Sequence, residues 1–244
     1  MFRIGILGAA DIAFNKFIPA LMKVEGVECA GVASNSPDKL KRFVEKYNVH
    51  VYSSYNEVIG DDSVDCVYIP LPPAFHYEWA KKALLAGKHV FLEKPSTTSA
   101  DDTKELVGIA GEKGLVVQEN YMFQFHAQLK EIENLIASGE LGKLRLVRTS
   151  FGFPRRAEGD FRYVKELGGG TMMDNGGYTI KLIDMLLGES MRLVSSQLDY
   201  DEKTGIDIFG TAEFVNDDGV IAQAAFGMDC HCLLYTSDAA DDKA

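Results

Sequence analysis

The sequence predicts an α/β chain in two parts, a parallel sheet wrapped by helices over residues 1–119 and an α+β open-sheet domain over residues 120–232, followed by a tail over 233–244. Three observations carry this. Short apolar runs of strand length alternate with amphipathic stretches through the first half, the pattern of parallel strands joined by right-handed crossover helices. The first run ends in the small residues Gly8-Ala9-Ala10. After Glu119 the alternation stops, and the strand-like runs Val194 to Tyr200, Ile208 to Val215 and Val220 to Phe226 follow one another directly.

Each element has a local reason. Arg3 to Leu7 reads as the first strand. Phe14, Phe17, Ile18 and Leu21 then recur at helical spacing, with Pro19 as a kink or early break. Val27 to Ala33 is a second strand. Ser36-Pro37 starts a helix with a hydroxyl cap and a proline where a missing N–H costs nothing, and Leu40, Phe43, Val44 and Tyr47 form its apolar face. Asp65 to Leu71 is a third, buried strand. Trp79, Ala80, Ala83 and Leu84 line the next helix, which Gly87 ends as a left-handed cap. His89 to Leu92 is another strand. Ser99 caps a helix bearing Leu106, Val107 and Ala110 that stops near Gly114, and Leu115 to Gln118 follows as a strand. In the second part, Ala127 to Ala137 reads as a helix and Leu144 to Phe151 as a strand. Gly168-Gly169-Gly170 opens a helix from about Asn175 to Leu187.

Composition narrows the function. The chain has 244 residues, 46% hydrophobic and 25% charged, with a formal net charge of -11. That balance argues against a nucleic-acid binder, which presents a basic patch. The opening apolar stretch is too short for a secretory signal or a membrane span, so the expectation is a cytoplasmic protein without membrane attachment. Of four cysteines, Cys29 and Cys66 fall in buried strands and read as reduced core thiols. Cys230-His231-Cys232 lacks the spacing of a metal site and has no second pair, so no metal is expected. Leu233 to Ala244 carries no periodicity that continues the sheet. It reads as foreign sequence or as an ordinary disordered tail, and in the first case the natural protein is longer and its second domain incomplete here.

Gly8-Ala9-Ala10-Asp11-Ile12-Ala13 stands where a Rossmann fold carries G-x-G-x-x-G, between a strand and a helix, with alanine at the second and third glycine positions. Backbone N–H groups of Gly8, Ala9, Ala10, Asp11 and Ile12 at such a turn suit a pyrophosphate; a small-residue turn without ligand is the plainer reading. At the end of the second strand Ser34-Asn35 replace the acid that would bind the ribose of NAD, and Lys39 and Arg42 follow. NADP is therefore favoured over NAD, although Ser34 and Asn35 also suit an ordinary turn. Leu71, Pro72 and His76, after the third strand, and Glu93, after the fourth, are placed beside the cofactor. Lys94 also follows a buried strand at the carboxyl edge of the sheet, where such folds bind ligands, and desolvation there would let it exchange a proton with an oxygen.

The segment Ala86-Gly87-Lys88-His89-Val90-Phe91-Leu92-Glu93-Lys94-Pro95 resembles the AGKHVxxEKP signature of the glucose–fructose oxidoreductase/inositol dehydrogenase/MocA family. The opening ILGAADIA, Pro72-Pro73-Ala74-Phe75-His76, and the stretch from Gly168 to Tyr178 agree in order and spacing, so the likeness runs from about Phe2 to Cys232. It implies a Rossmann domain followed by an open-sheet domain, nicotinamide and substrate between them, Lys94 beside the reacting carbon, and a cis Lys94–Pro95 bond. Many relatives carry D-x-G-x-H-x-x-D. Here Tyr178 stands for the histidine and Lys181 for the second aspartate, so a tyrosine near a lysine becomes the proton donor. With Pro154-Arg155-Arg156 and Asp160-Phe161-Arg162-Tyr163, this form is similar to the nucleotide-sugar 3-ketoreductase and dihydrodiol dehydrogenase branches.

The expected activity is an NAD(P)-dependent oxidoreductase that passes hydride between nicotinamide and a sugar-like alcohol or ketone, with Lys94 and Tyr178 catalytic. In order, the substrates suggested are a nucleotide-linked keto sugar, a free sugar or polyol, and a small cyclic diol. Tyr121 and His126 are placed at the substrate or in packing, and Asp174 at the substrate or as a helix cap. Arg155, Arg156 and Arg162 read as a diphosphate clamp or as surface charge. The parent protein is expected to be a homo-oligomer. The alternative is a non-catalytic NAD(P)-binding regulator, which the same family contains.

Overall fold

The computed structural model describes residues 1–188 and 190–230. The readings made for His231, Cys232 and 233–244 lie outside the described residues. The chain divides into two compact units, Met1–Asn120 and a second beginning at Tyr121.

The first unit runs β1 (Phe2–Leu7), α1 (Ile18–Leu21), β2 (Val27–Ala33), α2 (Pro37–Tyr47), α3 (Tyr55–Gly60), β3 (Cys66–Ile69), α4 (His76–Leu85), β4 (His89–Leu92), α5 (Ala100–Lys113) and β5 (Val117–Glu119). Its five strands are all parallel, in the order β2-β1-β3-β4-β5. Period-two alternation sends neighbouring side chains to opposite faces. Leu7, Val67, Ile69, Val90 and Leu92 pack with Val58 of α3, Ala80 and Leu84 of α4, and Leu106 of α5. Ile6, Val32 and Tyr68 pack on the other face with Ala13, Ile18, Leu40 and Phe43.

Pro19 does not break its helix. The chain forms a π turn over Ala13–Phe17 and passes into α1, with the Ile18 N–H donating to the Ala13 carbonyl. The next donor in that register would be Pro19, which has none. The Phe14 carbonyl it leaves over accepts instead from the Tyr47 hydroxyl at 2.6 Å. Other expectations also change. Ser36 does occupy the position before α2, but its hydroxyl makes no cap bond. Val44 and Val107 face solvent, 42% and 56% exposed, because Leu40 with Phe43 and Leu106 with Ala110 already fill the buried stripes. β3 is shorter than expected. Asp65 lies outside it, its carboxylate accepting from the Arg3 N–H. α3 was not anticipated; Ser54 caps it and Tyr55, Val58 and Ile59 bury one side of barely two turns.

The second unit contains α6 (Ala127–Ser138), β6 (Leu146–Phe153), α7 (Gly177–Leu187), β7 (Arg192–Tyr200), β8 (Asp207–Val215) and β9 (Ile221–Met228). The sheet order is β6-β9-β8-β7, with β6 parallel to β9 and β8 antiparallel to both its neighbours. Ile183 of α7 packs on Ala222, Ala224 and Phe226. On β6, β9 and β8 a polar row links Arg148 to Gln223 and Gln223 to Glu213. Among the described residues no helix is long and apolar enough to cross a membrane.

Two measurements check this packing. Tyr47→Phe leaves the Phe14 carbonyl without its donor and is expected to cost about 1 kcal/mol in urea unfolding. Burial pushes the Cys29 thiol up to about 11 and the Cys66 thiol up to about 12. A folded-state pKa raised in this way favours the fold below the ordinary thiol range, and the benefit fades as pH climbs towards those values. Both thiols should therefore resist iodoacetamide at pH 8 in the native protein and react once it is unfolded, as peptide mass mapping reads directly.

Candidate functional site

In the first unit the loops leaving β1, β2, β3 and β4 collect along the carboxyl edge of the sheet, and the strand order reverses between β1 and β3. Open parallel sheets bind ligands in the crevice at such a point. Gly8 turns the chain at φ +122°, a conformation that disfavours any side chain, and a Cβ there would lie 2.9 Å from the Leu71 side chain. Its N–H donates to Ala33 O at 2.8 Å, drawing the turn against the end of β2. The first helical bond runs from Phe14 N to Ala10 O, so the N–H groups just before Phe14 have no partner within the helix. Ser34 is half-buried and Asn35 exposed at the end of β2, while Lys39 is exposed on α2. A tight small-residue turn, a helix start and no carboxylate at the end of β2 fit a dinucleotide, and fit one carrying a 2′-phosphate.

The loops after β3 and β4 are stitched to each other. Lys94–Pro95 is a cis bond. Glu93 accepts from the Tyr68 hydroxyl at 2.5 Å and from Asn120 Nδ2 at 2.7 Å. Burial and the adjacent Glu93 both push the Tyr68 hydroxyl pKa up, so it stays a donor. Glu119 accepts from the Ser96 N–H at 2.7 Å. Lys94 is half-buried between these anchors. His76, expected beside the cofactor, has a different position. It is fully buried, its ring nitrogens 2.7 Å from the Leu71 carbonyl and 2.8 Å from the Pro95 carbonyl. It ties two loops together and offers no free surface to a ligand. Burial lowers its pKa against the opposing pull of those carbonyls. Leu71 and Pro72 lie half-exposed on the loop it holds.

In the second unit Tyr178 stands on the first turn of α7 in an aromatic cluster. Its ring meets Tyr121 at 5.0 Å, Phe151 at 5.1 Å and Phe123 at 5.7 Å. Tyr121 is 6% exposed, and its hydroxyl sits against the Cα of Gly177, where a Cβ would collide with it. Packing thus fixes the rings on either side of Gly177. The helix begins earlier than its glycine signals suggest, with Thr171 and a π turn over Met172–Gly176. Asp174 lies inside that turn and does not cap it; the Met172 N–H is taken by Asp207 at 2.6 Å. Buried Asn175 donates to the carbonyls of Phe151 and Gly227, fastening the turn to the sheet.

Asp174 receives Arg162 Nε at 2.7 Å, and Arg162 Nη1 lies 3.1 Å from Asp160. Burial works against the guanidinium, but the two carboxylates outweigh it and raise its pKa. Arg162 is therefore committed inside the unit and is not held out for a diphosphate. Arg155 is engaged by Asp229 and Asp201. Arg156 lies over the Phe153 ring at 4.5 Å. His126 is exposed, and its Nδ1 accepts from Gln128 N, capping α6. The roles of Asp207 and Asn175 were missed from sequence: Asp207 is separated from its partner by 35 residues and carries no local signal.

The chain matches the model of the Gfo/Idh/MocA oxidoreductase family, NAD-binding Rossmann fold, over residues 2–121, and the GFO/IDH/MocA C-terminal domain over 129–238. It is 37% identical over 227 residues to the dTDP-3,4-didehydro-2,6-dideoxy-alpha-D-glucose 3-reductase of Actinomadura kijaniata, covering 93% of this chain and 68% of that protein. The enzyme of the same name from Streptomyces violaceoruber is 39% identical over 229 residues, covering 93% and 67%. The crystal structure of a 3-ketoreductase from Actinomadura kijaniata in complex with NADP and TDP-benzene superposes with a TM-score of 0.91 at 36% identity, covering 94% of this chain and 70% of that one. That ketoreductase has also been solved with a tyrosine changed to phenylalanine and with a lysine changed to alanine or glutamate.

Removing Arg162 tests the committed pair. Arg162→Met leaves two carboxylates, 21% and 10% exposed, without their cation. The expected loss is about 3 kcal/mol in denaturant unfolding, and changing Asp174 to Asn in the same chain should restore part of it.

Proposed function

The chain belongs to the Gfo/Idh/MocA oxidoreductase family, and from that premise we propose that it reduces the keto group of a nucleotide-linked sugar at the expense of NADPH. It is an NAD(P)-dependent oxidoreductase of sugar-like alcohols and ketones. The observation that carries the finer reading is the match along 93% of the chain to reductases of dTDP-linked keto sugars. The lysine and the tyrosine changed in the variants of the related ketoreductase are as many residues apart as Lys94 and Tyr178.

The roles follow from the chemistry of the groups. The turn Gly8 to Ile12 with Ser34 and Asn35 would hold NADPH, which would supply the hydride for reduction of the carbonyl. The Lys94 ammonium donates a hydrogen bond to the carbonyl oxygen and stabilises the negative charge that gathers there. Tyr178 gives its phenolic proton to that oxygen and is reprotonated from solvent, so the alcohol leaves neutral. The Tyr68–Glu93–Asn120 bonds fix the backbone that presents Lys94, and the rings of Tyr121, Phe123 and Phe151 fix the direction of the Tyr178 hydroxyl. Asp174 is a candidate for the sugar's hydroxyls, and Tyr121 shapes the wall behind Tyr178. The same reading includes a cytoplasmic location, in keeping with the unpaired thiols of Cys29 and Cys66, and a homo-oligomer, in keeping with exposed Leu193 and Val194 on the edge strand β7.

The test is turnover of dTDP-linked 3-keto sugars with NADPH, beside free aldoses and cyclic diols. Lys94→Met is expected to lower kcat by about a hundredfold or more, and Tyr178→Phe to lower it in the same direction, with the Kd for NADPH held within about threefold. Unchanged kcat in Lys94→Met would overturn the assignment. Tight NADPH binding with no turnover of any of these substrates would point to a regulator.

A further inference from the structure

Three arginines lie in the segment that follows β6, and the fold uses two of them. Arg162 is held between Asp174 and Asp160, and Arg155 by Asp201 and Asp229. Arg156 is placed differently. It is exposed, its guanidinium carbon stands 4.5 Å above the Phe153 ring, and among the described residues no carboxylate pairs with it. Stacking of this kind takes up the face of a guanidinium. The five N–H donors lie in its plane and point outward, a fork that matches two oxygens of a phosphate.

The stack has a firm base. Pro154, without an N–H, ends β6, and the Phe153 carbonyl accepts from Asp229 N at 3.0 Å and Cys230 N at 3.1 Å. The Arg156 N–H donates to the Tyr163 hydroxyl at 3.0 Å, so backbone bonds hold both partners of the stack. Phe153 and Phe151 stand two residues apart on β6 and therefore share a face, their rings 6.3 Å apart. The Phe151 ring in turn meets that of Tyr178 at 5.1 Å. A row of three rings thus leads from the Tyr178 phenol to the Arg156 guanidinium, within one unit of the chain. A nucleotide-linked keto sugar has its groups in that order: the carbonyl, then one side of the sugar ring and the glycosidic oxygen, then the diphosphate. The row is long enough to carry the sugar and to bring the phosphates to the arginine.

We propose that Arg156 is the residue of the second unit that recognises the substrate's diphosphate and so sets nucleotide-linked sugars apart from free ones. The inference rests on the keto-sugar reading above and deepens it. The guanidinium stays on Phe153 and donates its in-plane N–H groups to the phosphate oxygens. No existing ion pair has to be broken for this, whereas Arg155 and Arg162 would each have to leave carboxylates that already hold them. Because Arg156 is separated from Tyr178 by the rings of Phe151 and Phe153, it acts on binding and leaves the proton transfer alone.

Calorimetric titration with dTDP and with thymidine tests this without turnover, since the two probes differ by the diphosphate alone. Arg156→Ala keeps the backbone N–H that Tyr163 receives. It is expected to weaken dTDP by about tenfold or more while thymidine changes by less than about threefold. Arg156→Lys, which keeps the charge and loses the planar fork, should fall between. In turnover of a dTDP-linked 3-keto sugar, KM should rise in Arg156→Ala as dTDP affinity falls, with kcat held within about threefold. Equal weakening of dTDP and thymidine would make Arg156 a support of the loop and overturn the proposal. A wild-type protein that binds dTDP, with the affinity kept in Arg156→Ala, would make Arg156 a solvated charge, overturning the proposal and leaving the keto-sugar reading standing. A wild-type protein that ignores dTDP and turns over free aldoses or cyclic diols would overturn both.

Discussion

The carboxyl edge of the first sheet is held in shape by His76, buried between the carbonyls of Leu71 and Pro95. Loops at a sheet edge are ordinarily the softest part of an α/β domain, since their backbone groups depend on water. Here one ring, inaccessible to solvent, lies between the carbonyls of two loops that belong to different strands, its N–H bonded to one of them and its other nitrogen packed against the second. The Leu71 side chain, on the loop so fixed, closes over Gly8, and Glu93 is gripped by Tyr68 from within the sheet. The turn after β1 and the lysine after β4 are thereby referenced to the same rigid strands. A site needs that kind of support when its reacting groups come from separate loops.

Much of this was legible where the cause is local. Val27–Ala33 is bracketed by Gly26 and Ser34 and was read to the residue. Ser99 announces α5, and its hydroxyl accepts from Asp102 N as a cap should. Apart from α3, the order of strands and helices in the first unit follows from alternation alone. What was not legible depends on partners far along the chain. α3 is too short for a periodic signal and exists because Tyr55, Val58 and Ile59 find a sheet to cover. Pro19 reads as a kink or early break until Tyr47, on another helix, takes up the carbonyl it strands. His76 is a polar residue in a cofactor motif, and its position in the sequence says nothing about two backbone acceptors closing over it.

The same distinction runs through the charges. Sequence alone cannot tell an arginine held out for a ligand from one already spent on a neighbour. Arg162 and Arg155 are spent: carboxylates within the second unit surround each of them. Arg42 has an exposed carboxylate and an unsatisfied N–H, so its commitments are incomplete. The exposure of the partner carboxylate is what separates the cases, 10% at Asp174 and 14% at Asp201 against 80% at Asp11, and only a folded chain displays it.

Asp207 draws the start of the Tyr178 helix into the chain's order of assembly. The residues from Thr171 to Leu187 are made well before the carboxylate that receives the Met172 N–H, and before the β9 carbonyl of Gly227 that Asn175 grasps. Loop closure across such separations is slow and is rewarded only when both ends have arrived. On a ribosome the segment therefore waits without its anchor, and the tyrosine gains its final orientation late, when the sheet behind it closes.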